Sequence, residues 1–225
     1  MSGLVLYIGN KNYSSWSLRP WLALKWADIP FEERVIPLDG PGYGHAKIPA
    51  ILAVSPSGRV PSLHLDGVAI NDSLAICEWA HERAPKADLW PRDALTRAQA
   101  RSAAAEMHSG FAALRRDLSM NIRRRMDKAP EFPADTQADL DRLFAAWSGW
   151  RERFGEDGPW LFGECTIVDA MYAPVVTRLR TYAVKAPEAI EAYCNTVFAD
   201  AAYQEWERAA IAETWTMPKA EALYR

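Results

Sequence analysis

The spacing of apolar residues changes several times along the first part of the chain. A short run rich in β-forming residues at 4–8 predicts a buried strand. Apolar residues then recur at helical spacing over 14–26, and Pro30 closes that segment. The pattern continues with a second strand over 31–37 and a short helix near 48–53. Strands and helices therefore alternate from the start of the chain.

A hairpin and a third helix complete this part. Two short apolar runs flank the pair Asp66-Gly67, which is typical of a two-residue hairpin turn. Asp72 and Ser73 then provide capping residues for the next helix. The order β-α-β-α-β-β-α predicts an α/β domain over residues 1–82, with a parallel centre and an antiparallel edge.

The rest of the chain shows helical spacing only. Residues 83–92 contain two prolines and predict a linker, so residues 93–225 form a second, all-α domain. A long helix is predicted over 94–128, ended by Pro130 and Pro133. Further helices are predicted over 135–155, from Thr166 onward, and near 187–197 and 200–213.

Composition narrows the functional classes. The chain has 225 residues, of which 49% are hydrophobic and 24% charged, as in a folded globular protein. A net charge of -3 argues against a general nucleic-acid-binding protein. We expect no membrane segment and no secretion signal, because no run of 18 apolar residues and no basic N-terminal region occurs. Three widely spaced cysteines favour a reducing, cytoplasmic location and exclude a disulfide framework. The four histidines show no ligand spacing, so no metal site is expected.

Serine residues lie where the first helix is predicted to begin. Ser14 and Ser15 would place hydroxyls beside the free N–H groups and positive dipole end of that helix. A hydroxyl that donates a hydrogen bond to a thiolate lowers the pKa of the thiol. Ordinary N-capping explains the same residues, and both interpretations stay open.

Two further segments have the chemistry to hold a peptide-like ligand. Pro61 begins an internal strand, and a cis Val60-Pro61 bond would turn the Val60 backbone outward, ready to pair with an extended peptide. A trans proline at a strand edge is the alternative. Asp72 can accept from an ammonium group while Ser73 holds a carboxylate, although a plain helix cap is again the alternative. Thr166 with Asp169 resembles a capping box and is assigned to folding.

These segments, in this order, resemble the cytosolic glutathione S-transferases over nearly the whole chain. The resemblance implies a thioredoxin-like domain followed by an all-helical domain. The segment 13–19, Tyr-Ser-Ser-Trp-Ser-Leu-Arg, is similar to the zeta-class signature Ser-Ser-Cys-Ser-x-Arg. It implies that Ser14 activates the glutathione thiol and that Ser15 assists or substitutes. Trp16 stands where zeta members have cysteine, which makes glutaredoxin-like disulfide exchange an unfavoured activity.

The resemblance also implies the residues that hold glutathione as co-substrate. Val60, before Pro61, would pair with the cysteinyl backbone, and Asp72 with Ser73 would hold the γ-glutamyl end. The glycyl carboxylate needs a cation or a donor. The residues assigned to glutathione binding, with candidates for that carboxylate included, are Trp16, His45, Lys47, Arg59, Val60, Pro61, Asp72 and Ser73.

The acceptor pocket is expected between the two domains, along the predicted helix from Thr96 to Met126. Its candidate lining residues are Met107, Phe111, Leu114, Leu118 and Ser119. The later part of the same helix is basic, and one or two of its arginines facing the cleft would favour an acidic acceptor; they are Arg115, Arg116, Arg123, Arg124 and Arg125. The family also implies a twofold homodimer.

The leading functional hypothesis is a glutathione transferase, in which a serine-stabilised thiolate attacks a small electrophile, as in detoxification. The first alternative is a glutathione-dependent cis–trans isomerase of the maleylacetoacetate type. The second is a non-catalytic glutathione-binding module with the same fold.

Overall fold

The structure is a computed structural model, which describes residues 3–38 and 48–224. Its strands are β1 (Val5–Ile8), β2 (Glu32–Val35), β3 (Ser62–Leu65) and β4 (Val68–Ile70). The helices among them are α1 (Ser15–Trp26), α2 (Pro49–Leu52) and α3 (Ser73–Arg83). The later helices are α4 (Ala94–Ser109), α5 (Ala112–Asp117), α6 (Ala134–Phe154), α7 (Ile167–Thr181), α8 (Glu188–Ala199), α9 (Ala201–Ala212) and α10 (Pro218–Glu221).

The four strands form one mixed sheet in the order β2-β1-β3-β4. Strands β1 and β2 are parallel, whereas β3 runs antiparallel to both β1 and β4. Leu6 of β1 lies opposite Leu63 of β3, and both side chains are buried. The element order and the hairpin at Asp66-Gly67 confirm the α/β prediction for the first part of the chain.

Helices α1 and α7 form the centre of the molecule, because α1 packs on the sheet-side helix α3 and on α7. Of the 15 residues of α7, 14 are buried. The predicted capping box begins this helix: Asp169 Oδ2 accepts from the Thr166 N–H at 2.8 Å, and Thr166 Oγ1 accepts from the Val168 N–H at 3.3 Å. Site residues on α1 are therefore positioned against a rigid, buried helix.

The single helix predicted over 94–128 is wrong. Helix α4 ends at Ser109, and the Gly110 N–H donates to the Glu106 carbonyl at 2.7 Å. Phe111 has a left-handed backbone with φ of 53°, which no continuous helix contains. A Cβ at position 110 would lie 2.8 Å from the Glu106 carbonyl oxygen, so the close approach requires glycine. Helix α5 then ends at Asp117, and the next helix of the described chain begins at Ala134.

The segment predicted as a linker is packed into the fold. Leu89 and Trp90 are buried, and the Leu89 carbonyl accepts from the Ile167 N–H at 2.9 Å. The Trp90 indole N–H donates to Glu78 Oε2 of α3 at 3.1 Å. This segment therefore ties the start of α7 to the end of the α/β part.

The C-terminal segment closes over the loop between β1 and α1. Glu213 Oε1 accepts from the Lys11 N–H at 2.6 Å, and Glu213 Oε2 accepts from the Asn12 N–H at 3.0 Å. The Tyr13 hydroxyl donates to Glu221 Oε1 of α10 at 2.6 Å. Helix α10 was not predicted from the sequence. None of the helices described is both long and apolar enough to cross a membrane.

Candidate functional site

The two serines at the start of α1 have different surroundings. Ser14 is the N-cap, and its hydroxyl donates to the Ser17 hydroxyl at 2.7 Å. Ser17 is completely buried and also accepts from the Gly9 N–H at 3.1 Å, so Ser14 faces into the turn. The hydroxyl of Ser15 forms no hydrogen bond with any described residue. Ser15 therefore retains a free donor at the positive end of the helix.

The main chain at Val60 lies beside a cis proline and is not paired within the sheet. The Val60-Pro61 peptide bond is cis. The N–H and C=O of Val60 form no hydrogen bond with the described backbone, although β3 begins two residues later. Arg59 is exposed beside it. Two other candidates for the glycyl carboxylate, His45 and Lys47, lie outside the described residues.

The start of α3 offers an acid and a free hydroxyl. Asp72 is the N-cap, and its Oδ1 accepts from the N–H groups of Leu74 and Ala75 at 2.9 and 3.0 Å. Ser73 is 2% exposed, and its hydroxyl has no hydrogen-bond partner among the described residues. A buried hydroxyl without a partner is costly, which indicates a ligand position.

Trp16 and His108 connect these two helix starts. The rings of Trp16 and His108 meet edge to face with centroids 5.3 Å apart. His108 Nε2 lies 3.2 Å from Asp72 Oδ2, whereas His108 Nδ1 is buried without a partner. The glutathione candidates Trp16 and Asp72 are thus brought together through a histidine of α4. His108 could not be predicted from the sequence, because a lone histidine in a helix carries no local pattern.

The cysteines do not take part in the site. Cys77 and Cys194 are buried and Cys165 is partly exposed, and all three are free thiols. Burial raises the pKa of Cys194 to about 12 and also raises the pKa values of Cys77 and Cys165 well above the ordinary range. All three thiols are protonated at neutral pH, so none is a ready nucleophile.

Two arginines lie over the ring of Trp16, and a third, Arg178 of α7, acts on one of them through its charge. The Arg19 guanidinium lies 4.2 Å from the Trp16 ring centroid, and the Arg115 guanidinium lies 5.5 Å from the same ring. Burial, and then the charge of Arg178, lowers the pKa of Arg19 to about 9. Burial, and then the charge of Arg115, lowers the pKa of Arg178 to about 10. Both values lie above neutral pH, so all three groups are cations there.

Most residues predicted to line the acceptor pocket lie in the hydrophobic core. Met107, Leu114 and Leu118 have no exposed surface, Phe111 is 6% exposed and Ser119 is half-buried. The helix that should have carried them is broken after α4. Their part in substrate binding stays a prediction.

A cavity of about 560 Å³ lies elsewhere, between the segment after α5 and the C-terminal segment. Its lining residues are Asn121, Arg123, Arg124, Thr216, Pro218 and Glu221. Arg123 donates to the Tyr13 hydroxyl at 2.9 Å and to the Trp215 carbonyl at 2.7 Å. Because Tyr13 directly precedes the serine pair, this cavity adjoins the start of α1. No local pattern signals it, since its two sides are far apart in the sequence.

Family models match both parts of the chain. Residues 13–83 match the glutathione S-transferase N-terminal domain, and residues 133–216 match the glutathione S-transferase C-terminal domain. Together the two matches cover more than half of the chain.

Curated relatives are similar over one part only. The chain is 40% identical over 101 residues to a maleylacetoacetate isomerase of Pseudomonas aeruginosa, covering 44% of this chain and 46% of that protein. It is 34% identical over 107 residues to the maleylacetoacetate isomerase of Rattus norvegicus, covering 48% of each. The chain thus matches about half the length of these relatives.

Solved structures match over nearly the whole chain. A glutathione transferase homolog from Burkholderia GL BGR1 with bound glutathione has a TM-score of 0.71 and 24% identity, covering 92% of this chain and 97% of that one. A glutathione transferase from Methylococcus capsulatus has a TM-score of 0.68 and 24% identity, covering 92% and 98%. These likenesses concern the fold.

Proposed function

The chain belongs to the glutathione S-transferase family, and from that premise we propose that it binds glutathione and uses its thiolate to attack a small electrophile. The observation that carries the proposal is the presence of three unpaired polar groups on the three segments assigned to glutathione binding. These are the Ser15 hydroxyl, the Val60 main chain and the buried Ser73 hydroxyl.

Glutathione is held, in this proposal, from two sides. The free N–H and C=O of Val60 pair with the cysteinyl backbone in the manner of an added strand. The γ-glutamyl carboxylate accepts from the Ser73 hydroxyl at the positive end of α3. The γ-glutamyl ammonium is held by Asp72, whose Oδ2 faces His108. The glycyl carboxylate is assigned to His45, Lys47 or Arg59.

The thiol is activated by a serine hydroxyl at the start of α1. Ser15 is favoured as the donor because its hydroxyl is free, whereas the Ser14 hydroxyl already donates to Ser17. The first-turn N–H groups and the helix dipole add to the stabilisation of the thiolate. Lowering a thiol pKa from its ordinary value of ~8.5 by ~2 units corresponds to ~2.7 kcal/mol, which leaves most of the thiol ionised at neutral pH.

The acceptor pocket is proposed to be the cavity between the segment after α5 and the C-terminal segment. It adjoins Tyr13, and it is lined by the guanidinium groups of Arg123 and Arg124. Glu221 lines the cavity too, so the two arginines leave the lining with a net positive charge. Their positive charge favours an acidic acceptor, which agrees with the charge predicted for this part of the chain.

A second candidate activity is glutathione-dependent cis–trans isomerisation of a maleyl-type diacid. The relatives named maleylacetoacetate isomerase favour it, and so do the two cations in the cavity. Isomerisation would recycle glutathione, whereas conjugation consumes one thiol per turnover. A non-catalytic binding module would keep Val60 and Ser73 but would not need the free Ser15 hydroxyl.

One set of assays separates these activities. The protein is passed over a glutathione-affinity resin, and its turnover of 1-chloro-2,4-dinitrobenzene and of maleylacetoacetate is followed together with the remaining free thiol. Retention with loss of thiol supports conjugation, and turnover of the diacid without loss of thiol supports isomerisation. Retention without turnover would leave only the binding module, and failure to bind glutathione would refute the proposal as a whole.

The homodimer and the cytoplasmic location implied by family resemblance are part of the same proposal. Sedimentation equilibrium tests the dimer, for which the expected mass is twice the 25.2 kDa of the chain.

A further inference from the structure

Two guanidinium groups are buried inside the molecule without an acceptor in the described part of the chain. Arg19 of α1 has no exposed surface, and Arg178 of α7 is 3% exposed. The Nε, Nη1 and Nη2 atoms of Arg19 and the Nε and Nη1 atoms of Arg178 donate to no atom of the described residues. A buried arginine normally has a carboxylate or several carbonyl oxygens around it, so this pair is unusual.

A third guanidinium adds to the same charge. Arg115 is half-buried and donates to the backbone carbonyls of Met107 and His108, both at 3.2 Å. It lies over the same Trp16 ring as Arg19. The three cations act on one another, because Arg178 and Arg115 lower the pKa of Arg19 and Arg115 lowers the pKa of Arg178.

No described carboxylate neutralises this cluster. The acidic group that acts on Arg115 is Asp139, whose Oδ2 already accepts from the Leu114 N–H at 2.9 Å. Arg19 has the Trp16 ring as its partner, and a ring contact leaves the five guanidinium N–H donors unused. Like charges that are buried together without a counter-charge strongly oppose folding unless an anion joins them.

We propose that Arg19, Arg115 and Arg178 form an anion-binding site at the contact of α1, α5 and α7. Guanidinium groups bind planar oxyanions through paired hydrogen bonds, so the ligand is a small carboxylate or inorganic oxyanion. The site differs from the proposed glutathione groove, which uses Val60 and Ser73. Its ligand is either a resident inorganic anion or the carboxylate of the acceptor, and the second source rests on the proposed function.

The site is placed to affect catalysis. Arg19 follows Ser15 by four residues, so the two lie on one face of α1. Trp16, between them in sequence, covers the arginines with its ring. An anion bound there would join α1 to α7 and fix the helix start that carries Ser15.

Thermal unfolding of the full chain tests the site. Phosphate and maleate are titrated separately at constant ionic strength. The wild-type protein should show a rise in Tm of about 3 to 6 °C at ten times the dissociation constant, which continues with the logarithm of the anion concentration. Arg208→Gln, which removes an exposed arginine of α9 with no ion-pair partner among the described residues, should show the same rise.

Arg178→Met should lose the rise and should start from a higher Tm in low-salt buffer, because it removes an uncompensated buried charge. Should Arg178→Met fail to fold, Arg115→Gln replaces it and should weaken anion binding at least tenfold. The proposal is overturned if neither anion raises the Tm of the wild-type protein at constant ionic strength, or if the cluster variant retains the wild-type response.

Kinetics with glutathione then identify the source of the anion. The matched acceptors are 4-chloro-3-nitrobenzoate and 1-chloro-2,4-dinitrobenzene, of which only the first carries a carboxylate. If Arg178→Met lowers kcat/KM at least tenfold for the benzoate but not for 1-chloro-2,4-dinitrobenzene, the ligand of the site is the acceptor carboxylate. An equal change for both acceptors, together with the phosphate-dependent Tm, supports a resident inorganic anion. If the protein has no transferase activity, the Tm experiment still decides the site.

Discussion

Replacement of Ser15 by alanine tests the proposed thiol activation at one atom. The Ser15 hydroxyl is the free donor at the start of α1, and a hydrogen bond to a charged group contributes about 1.5–3 kcal/mol. Its loss should raise the pKa of the bound thiol by ~1–2 units, since one unit corresponds to ~1.4 kcal/mol. With a thiol pKa of ~6.5, about three quarters of the thiol is ionised at pH 7, against about 3% at ~8.5.

The assay is the pH dependence of kcat/KM for 1-chloro-2,4-dinitrobenzene at saturating glutathione. A more basic thiolate is also more nucleophilic, which offsets part of the rate loss. The midpoint of the pH profile is therefore the direct readout. We expect Ser15→Ala to move it upward by ~1–2 units and to leave glutathione affinity nearly unchanged.

Ser14→Ala is the matched control. It removes the 2.7 Å hydrogen bond to Ser17, and the expected cost is about 1 kcal/mol of unfolding free energy with little movement of the midpoint. The reasoning is refuted if Ser14→Ala moves the midpoint by a unit or more while Ser15→Ala leaves it in place.

Three further changes test other parts of the account. Ser73→Ala should weaken glutathione binding, measured by calorimetry, by about tenfold or more. It should not lower Tm, because the buried Ser73 hydroxyl has no partner to lose among the described residues. The control is Ser102→Ala at an exposed position of α4. Burial raises the pKa of Asp169 to about 6. The protonated Asp169 carboxyl therefore contributes stability that is fully present below about pH 4 and is lost as the pH rises through 6. Urea unfolding should show this loss, on the order of 3 kcal/mol, in the wild-type protein relative to Asp169→Asn. Gly110→Ala should destabilise the fold by about 1–3 kcal/mol, because its Cβ would meet the Glu106 carbonyl oxygen at 2.8 Å. The control is Gly149→Ala at an exposed position of α6 with open space around it, and this variant should stabilise the fold by about 0.5–1 kcal/mol.

Each of these three predictions would be contradicted by a specific result. Unchanged glutathione affinity in Ser73→Ala would remove this hydroxyl from the binding site. A difference between the wild-type protein and Asp169→Asn that stays constant from pH 4 to 7 would contradict the titration of that carboxyl. Equal stability of the two glycine variants would contradict the close approach at the end of α4.

Features determined by neighbouring residues could be predicted from the sequence. The hairpin at Asp66-Gly67, the cap at Asp72 and the capping box from Thr166 to Asp169 all depend on contacts within a few residues, and the structure contains each of them. The periodicity of apolar residues was enough to predict the α/β part and most later helices.

Features that depend on contacts between distant segments could not be predicted in this way. The break after α4 rests on one close approach at Gly110, within a segment whose composition favours helix. The cavity forms only because the C-terminal segment returns to the start of α1 through Glu213 and Glu221. The grouping of Arg19 with Arg178 likewise needs the packing of α1 on α7, which no local pattern describes.

A crystal structure of the protein with glutathione tests the central claim most directly. The account predicts that the cysteinyl backbone pairs with the N–H and C=O of Val60, that the γ-glutamyl carboxylate accepts from Ser73, and that the sulfur lies within hydrogen-bond distance of the Ser15 hydroxyl. Glutathione bound away from Val60, or a sulfur that contacts neither serine at the start of α1, would contradict it.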